Sequence, residues 1–448
     1  MPRRTSTGGE RWESGERTRR WLRSVSLIGL GLFVTTCAQT GVVGRLPIEF
    51  LLKGRLHLAP EALAGFFALA TLPWNFKPLA GLLSDSTPIF GTRRKHYLLL
   101  SAAAAAVLWW MMGMVSRRFA VLVTVAIGLN VALMVASTAT GGLLVEAGQA
   151  HSATGRLTSL RFVVMNAATL IAGPLGGFLA GRTFGMTATT AALLCLSLVP
   201  ATLWLLDEPP VAQRDTGAWA AAGSQLKEIL HSGTVWSAAG MLFLVQLAPG
   251  FATPLFYYQT NTLGFRGEFI GELLLASSCF GILGALVYGR VCKRLALRTL
   301  LVMAIACSVV STMFYLGYRS WVSALTIESL AGFVGTLAQL PLFDLALRAT
   351  PRGCEAFGYS LMMSVWNIGM SLSDVFGSWL FTRYHLNFMN LVWLNAGTTA
   401  LALLAIPLLP AAIVGRREED PPPGANAAPA AGPQGWSGEP GELPDGVQ

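Results

Sequence analysis

A lysine within an otherwise apolar run is the first residue whose chemistry needs an account. Lys77 stands in Pro73-Trp74-Asn75-Phe76-Lys77-Pro78. A lysine two turns inside a membrane span costs roughly 2.5 to 3.5 kcal/mol on insertion scales. Pro73 and Pro78 each remove a backbone donor and free a carbonyl, which predicts a kink lining a cavity. A cation at such a kink suits an anionic substrate, with Trp74 and Asn75 beside it. The other reading has the ammonium reaching back to headgroups about 12 Å away.

Asp85 closes the same run and precedes Arg93-Arg94-Lys95. A carboxylate there either pairs with a base or sits at a neighbouring helix N-terminus, where the dipole favours negative charge. Formed in one conformation and broken in another, that contact would gate the cytoplasmic side through Asp85, Arg93 and Arg94, with Glu146 at the end of a later span. A solvated loop charge is the plainer alternative. Asn166, Gln246, Gln339 and Asn367 fall near mid-membrane depth, where carriers hold cargo, although interhelical amide bonds also serve packing. Asp344 and Arg348 have the spacing of a helical ion pair. Glu272 and Glu328 fall near outer ends and are expected to be hydrated. There is no phosphate-binding lysine loop, no HExxH and no CxxC spacing, so neither enzymatic chemistry, metal nor cofactor is expected.

The elements that must position these residues follow from composition. The chain has 448 residues, 53% hydrophobic and 12% charged, against about 25% charged in a soluble domain. Twelve apolar runs approach bilayer length: 25–44, 60–83, 97–115, 119–145, 157–181, 186–206, 235–257, 269–289, 298–317, 322–347, 356–381 and 389–413. They lack the alternation of barrel strands, which predicts an all-α membrane protein with 12 transmembrane helices. With both termini cytoplasmic, 22 of the 32 Lys and Arg fall on or beside the cytoplasmic segments. The expected location is the cell (inner) membrane. The net charge of +9 is then a matter of topology and lipid contact, and a nucleic-acid partner is not expected.

Residues 1–24 are Arg-rich and 414–448 are rich in Pro, Gly and Ala, so both are expected as disordered cytoplasmic tails. Residues 207–234 form the longest internal polar stretch and include an amphipathic piece with Leu226, Ile229 and Leu230 on one face. As a linker they divide the chain into six-helix halves, 25–206 and 235–413. A faint echo supports the division: glycines and a basic cluster end spans two and eight alike, at Gly81 to Lys95 and at Gly284 to Arg294.

The stretch from Pro73 to Asp85, with Pro88-Ile89-Phe90-Gly91 and Arg93-Arg94-Lys95-His96-Tyr97-Leu98, closely resembles the signature of folate-biopterin transporters of the major facilitator superfamily. Phe256-Tyr257-Tyr258-Gln259-Thr260-Asn261 and Ser364-Val365-Trp366-Asn367-Ile368-Gly369 agree with it in the second half. The resemblance implies a secondary transporter of folate- or pterin-like organic anions working by alternating access, with a coupling proton. Lys77, Trp74, Asn75, Asn166, Gln246 and Asn367 would then contact the substrate. The family commonly carries two aspartates in span four, whereas the matching positions here are Ser137 and Gly141, with Glu146 retained. That departure leaves room for an exporter of another amphipathic small molecule. A receptor or scaffold that does not transport is the reading from another class.

Overall fold

Backbone groups at hydrocarbon depth must be satisfied within their own segment, and the apolar runs accordingly fold as helices. The computed structural model describes residues 8–115, 118–150, 154–208, 217–292, 294–350 and 355–415. Among the described residues, eight helices are long and apolar enough to cross a bilayer. They form spans 3 (Lys95–Met114), 4 (Phe119–Ala150), 5 (Thr154–Ala180), 6 (Phe184–Leu205), 8 (Gly267–Val291), 9 (Leu297–Phe314), 10 (Trp321–Ala349) and 12, which begins as Phe388–Leu401. Span 11 is the more polar helix Glu355–Arg383. Spans 1, 2 and 7 are built from shorter pieces, bringing the crossings to twelve.

Each interruption has a cause in the sequence. Span 2 runs Pro60–Thr71, tightens into the 3-10 segment Leu72–Phe76, and resumes as Lys77–Ser86. Its prolines at 73 and 78 bracket the change, which is the kink expected around Lys77. Span 7 runs Gly233–Gln246 and resumes as Ala252–Tyr257 and a π-helical turn, Tyr258–Thr262. Pro249-Gly250 lies in its gap, where Asn395 Nδ2 donates to the Pro249 carbonyl (2.9 Å) and the Gly250 N–H donates to the Ser373 carbonyl (2.8 Å).

Span 1 departs most from expectation. Its first helix, Gly8–Cys37, gives way to a turn containing Gly41 and Gly44, and a second helix, Arg45–Leu56, completes the crossing. The sequence reading ends this span at residue 44 and leaves Arg45, Glu49 and Lys53 in an outer loop. Glycines that look like an exit are an internal break, with the freed Ala38 carbonyl accepting from Trp109 Nε1 (2.9 Å). The helix also starts at Gly8, so residues 8–24 are not the unstructured tail expected. Extending a helix already nucleated in the span is far cheaper than starting one. The rest of that tail, and all but the first two residues of 414–448, lie outside the described residues.

The twelve spans alternate between two faces, here called the connector face, where the helix Gly217–His231 joins the halves, and the far face. On that helix Ile229 is buried, whereas Leu226 and Leu230 are exposed. Apolar side chains gather into one cluster dominated by spans 1 to 6 and another drawn from spans 7 and 9 to 12. Near the far face the halves meet at glycines. A Cβ on Gly177 of span 5 would lie 2.6 Å from the Gly267 carbonyl of span 8, and one on Gly271 would lie 2.6 Å from the Gly173 carbonyl. Small residues there let two backbones touch.

Candidate functional site

The kink of span 2 sets Lys77 against span 4. Its Nζ donates to Ser137 Oγ (2.9 Å) and lies 5.6 Å from the Trp74 ring centroid, within cation–π range. Trp74 Nε1 donates to Asn130 Oδ1 (2.9 Å), and Asn130 Nδ2 donates to Thr40 Oγ1 in the span 1 break (2.9 Å). Asn130 is fully buried, so this chain fixes the Trp74 ring from behind. Among the described residues no carboxylate pairs with Lys77. The charged neighbour whose field reaches it is another cation, Arg161 of span 5, which is exposed. The charge bias along the sequence places Arg161 with the cytoplasmic bases, whereas it lies two turns inside span 5. A Cβ on Gly141, one turn from Ser137, would meet nothing within 4 Å. The charge of Arg161 thus acts on Lys77, and among the described residues no carboxylate is ion-paired with either cation.

Asn75 joins the halves through its backbone, since Ser364 Oγ of span 11 donates to its carbonyl (3.0 Å). Its side-chain Oδ1 is buried without a hydrogen bond. Gln246 lies apart from Lys77 in sequence and element. It lines a cavity of about 390 Å³ in the second half, with Gln339, Ser308, Tyr315 and Trp366 among its walls. Neither Gln246 nor Gln339 has a hydrogen-bond partner among the described residues, and no charged residue lines the cavity. Asn166 and Asn367 are exposed on spans 5 and 11 and do not line it.

Of the gating candidates, Arg94 and Glu146 meet within the first half. Arg94 is buried, donating from Nη1 to Ser84 Oγ (2.7 Å) and from Nε to Glu146 of span 4 (3.1 Å). The side chain of Asp85 lies outside the described residues. The carboxylate at the N-terminus of span 3 is Glu208, which accepts from the N–H groups of Arg93, Arg94 and Lys95 at 2.7 to 3.2 Å. That position is where a helix dipole favours an anion. Sequence reasoning missed it because Glu208 is 113 residues beyond Lys95. Before Arg93, Phe90 and Gly91 both have positive φ in a tight turn closed by Ile89 and Thr92.

A further network is built on the helix Arg45–Leu56, which the sequence alone leaves in a loop. Arg45 is ion-paired with Glu49, and its Nη2 lies 4.0 Å from Asp374 of span 11. Asp374 in turn accepts from the N–H and hydroxyl of Thr253, at 2.9 and 2.6 Å, where span 7 resumes. The two broken helices are thus tied through one carboxylate. Towards the far face, Tyr257 donates to the Leu58 carbonyl, Lys53 donates to Thr260, and the rings of Phe50 and Phe256 meet edge-on at 5.2 Å.

Comparison with known proteins places this arrangement. Solved structures with the same fold include a mutant of the nucleoside transporter NupG (TM-score 0.66, 14% identity, covering 86% of this chain and 99% of that one). A D-xylose-proton symporter is also similar (TM-score 0.57, 17% identity, 87% and 97% covered). Among curated sequences, the folate-biopterin transporter of Synechocystis is 29% identical over 393 residues, 82% of this chain and 78% of the relative. Folate transporter 2 of Plasmodium falciparum is 24% identical over 86% of this chain and 87% of its own length. The BT1 family profile matches residues 40–420. Sharing the fold of those solved transporters, the chain belongs to the BT1 family of folate-biopterin transporters, a family of transporters and not of enzymes.

Proposed function

We propose that this chain carries folate- or pterin-like organic anions across the membrane by alternating access, with both termini on the cytoplasmic side. The observation that carries the reading is Lys77, a cation at a helical kink whose described partners are a hydroxyl and a ring face. A carboxylate of the cargo would supply the missing counter-charge through a charge-assisted hydrogen bond, with Arg161 adding to the field. The open space at Gly141 gives that group room. Ser364 donates to the Asn75 carbonyl and so brings span 11 against span 2, and Trp366, two residues further along span 11, lines the second-half cavity. Free amides at Gln246 and Gln339 beside aromatic rings suit the uncharged, hydrogen-bonding edge of a pterin. The similar transporters of Synechocystis and Plasmodium falciparum, for folate-biopterin and for folate, agree with such cargo.

In this conformation the far face is sealed by the Tyr257, Lys53 and Gly177 contacts. Polar residues facing lipid are costly, so the exposed Arg161, Asn166 and Asn367 support an aqueous cleft open towards the connector face. The Asp85, Arg93, Arg94 and Glu146 region would close that face in the opposite state, by rocking one half against the other. The lost span-four acids favour a second reading, export of a different organic anion. A thermal-shift screen of purified protein against folates, pterins and unrelated organic anions tests the cargo. Stabilisation by folates and pterins supports it, and stabilisation by an unrelated anion alone overturns it.

A further inference from the structure

Glu328, on the second turn of span 10, was expected to be hydrated, yet it is only 9% exposed. Tyr315 donates its hydroxyl to Glu328 Oε2 (3.2 Å) and Tyr318 donates to Oε1 (3.3 Å). The two phenol rings stack with centroids 5.6 Å apart. Gln259 Nε2 donates to the Tyr318 hydroxyl (2.6 Å), which orients that hydroxyl to donate onward to the carboxyl. Among the described residues, the groups packed against this cluster from other elements are uncharged. Span 7 gives Tyr258, whose hydroxyl bonds the Tyr318 carbonyl, and Phe251. Span 8 gives Leu273 and span 12 gives Phe388 and Val392. Arg319, next in sequence to Tyr318, is exposed. Among the described residues Glu328 has no cation partner.

An unpaired charge enclosed in a membrane protein is costly, and a carboxyl group avoids that cost by holding a proton. The location joins two functional regions. Tyr315 also lines the second-half cavity, so cargo there touches the ring whose hydroxyl holds Glu328. Gln259 lies in the π-helical turn whose next residue, Thr260, takes the Lys53 contact across the far-face seal. We propose that Glu328 is a proton-binding site that gains a proton when the far face closes over it and gives one up when water reaches it. The Tyr315–Tyr318 pair links its state to the cavity and to the seal. One proton joins one carboxylate oxygen and leaves it again, with no other bond made or broken. The inference rests on alternating access and not on the identity of the cargo.

Infrared difference spectroscopy of the full chain in lipid, recorded as the pH is stepped through the acid-to-neutral range, tests the site without cargo. The wild type is expected to show the carbonyl band of a protonated buried carboxyl, missing in Glu328→Gln. A wild-type spectrum without such a band, or one unchanged by E328Q, overturns the proposal. In proteoliposomes, E328Q is expected to retain folate exchange but lose accumulation driven by a pH gradient, which for one coupled proton approaches about tenfold per pH unit. Gradient-driven accumulation at the wild-type level overturns it. If E328Q does not fold, Tyr315→Phe keeps the carboxyl and the ring. It is expected to shift the band's titration midpoint, and an unmoved midpoint overturns the link. Failure of the wild type to exchange any organic anion would instead count against the cargo reading, leaving the infrared result standing.

Discussion

The two halves solve opposite charge problems. The first carries Lys77 and Arg161 beside open space with no described acid to pair them, while the second carries Glu328 enclosed by phenols with no described cation. Had the two been adjacent, they would form an inert internal ion pair. Kept apart, the cation is free for an anionic ligand and the carboxyl for a proton. The only ion pair described between the halves is Arg45 with Asp374, and it serves the breaks of spans 1 and 7. The difference teaches that binding and coupling need not share residues, provided an interface connects them.

The comparison predicts what should break each side. The largest effect is expected where the halves touch. Gly177→Leu would force a side chain into the Gly267 backbone, an overpacking that costs about 1 to 3 kcal/mol locally. Exchange of folate in proteoliposomes should fall to background, while the first half still packs. Uptake near wild type would show that the glycine crossing does not close the far face. Next in size, Ser137→Asp would place a carboxylate against Lys77 and give that site the ion pair it lacks. Losing one charge-assisted bond to the cargo, worth about 1.5 to 3 kcal/mol, should weaken folate binding by about 10- to 100-fold in calorimetry. Unchanged affinity would separate Lys77 from the cargo. The smallest effect belongs to the neutral cavity. Gln246→Leu should weaken pterin and folate by about 2- to 10-fold, as expected for one neutral hydrogen bond, and leave p-aminobenzoylglutamate unaffected. Equal loss for all three ligands would contradict a division of the cargo between the halves.

How far the sequence reveals this depends on whether the cause is local. The kink at Lys77 is written in Pro73 and Pro78, and the Asp344–Arg348 pair (2.8 Å) in spacing of four along one helix. The match to span four flags Ser137, but its contact with Lys77 depends on two helices meeting 60 residues apart in sequence. Arg45 and Glu49 escaped because a glycine turn within a span reads like the end of one. Glu328 was misjudged because position along a run gives depth, whereas burial here comes from Tyr315 and Tyr318 closing over it from span 9 and its loop. Glu208 escaped because the helix end it caps follows a different loop.

The central claim is that Lys77 binds the anionic part of the cargo. Folate uptake by Lys77→Ala protein, reconstituted beside the wild type with folding checked by its thermal transition, tests it most directly. Uptake should fall by about 10- to 100-fold, the worth of a charge-assisted bond, while binding of an uncharged pterin changes little. Wild-type uptake of folate by the Lys77→Ala protein would contradict the account.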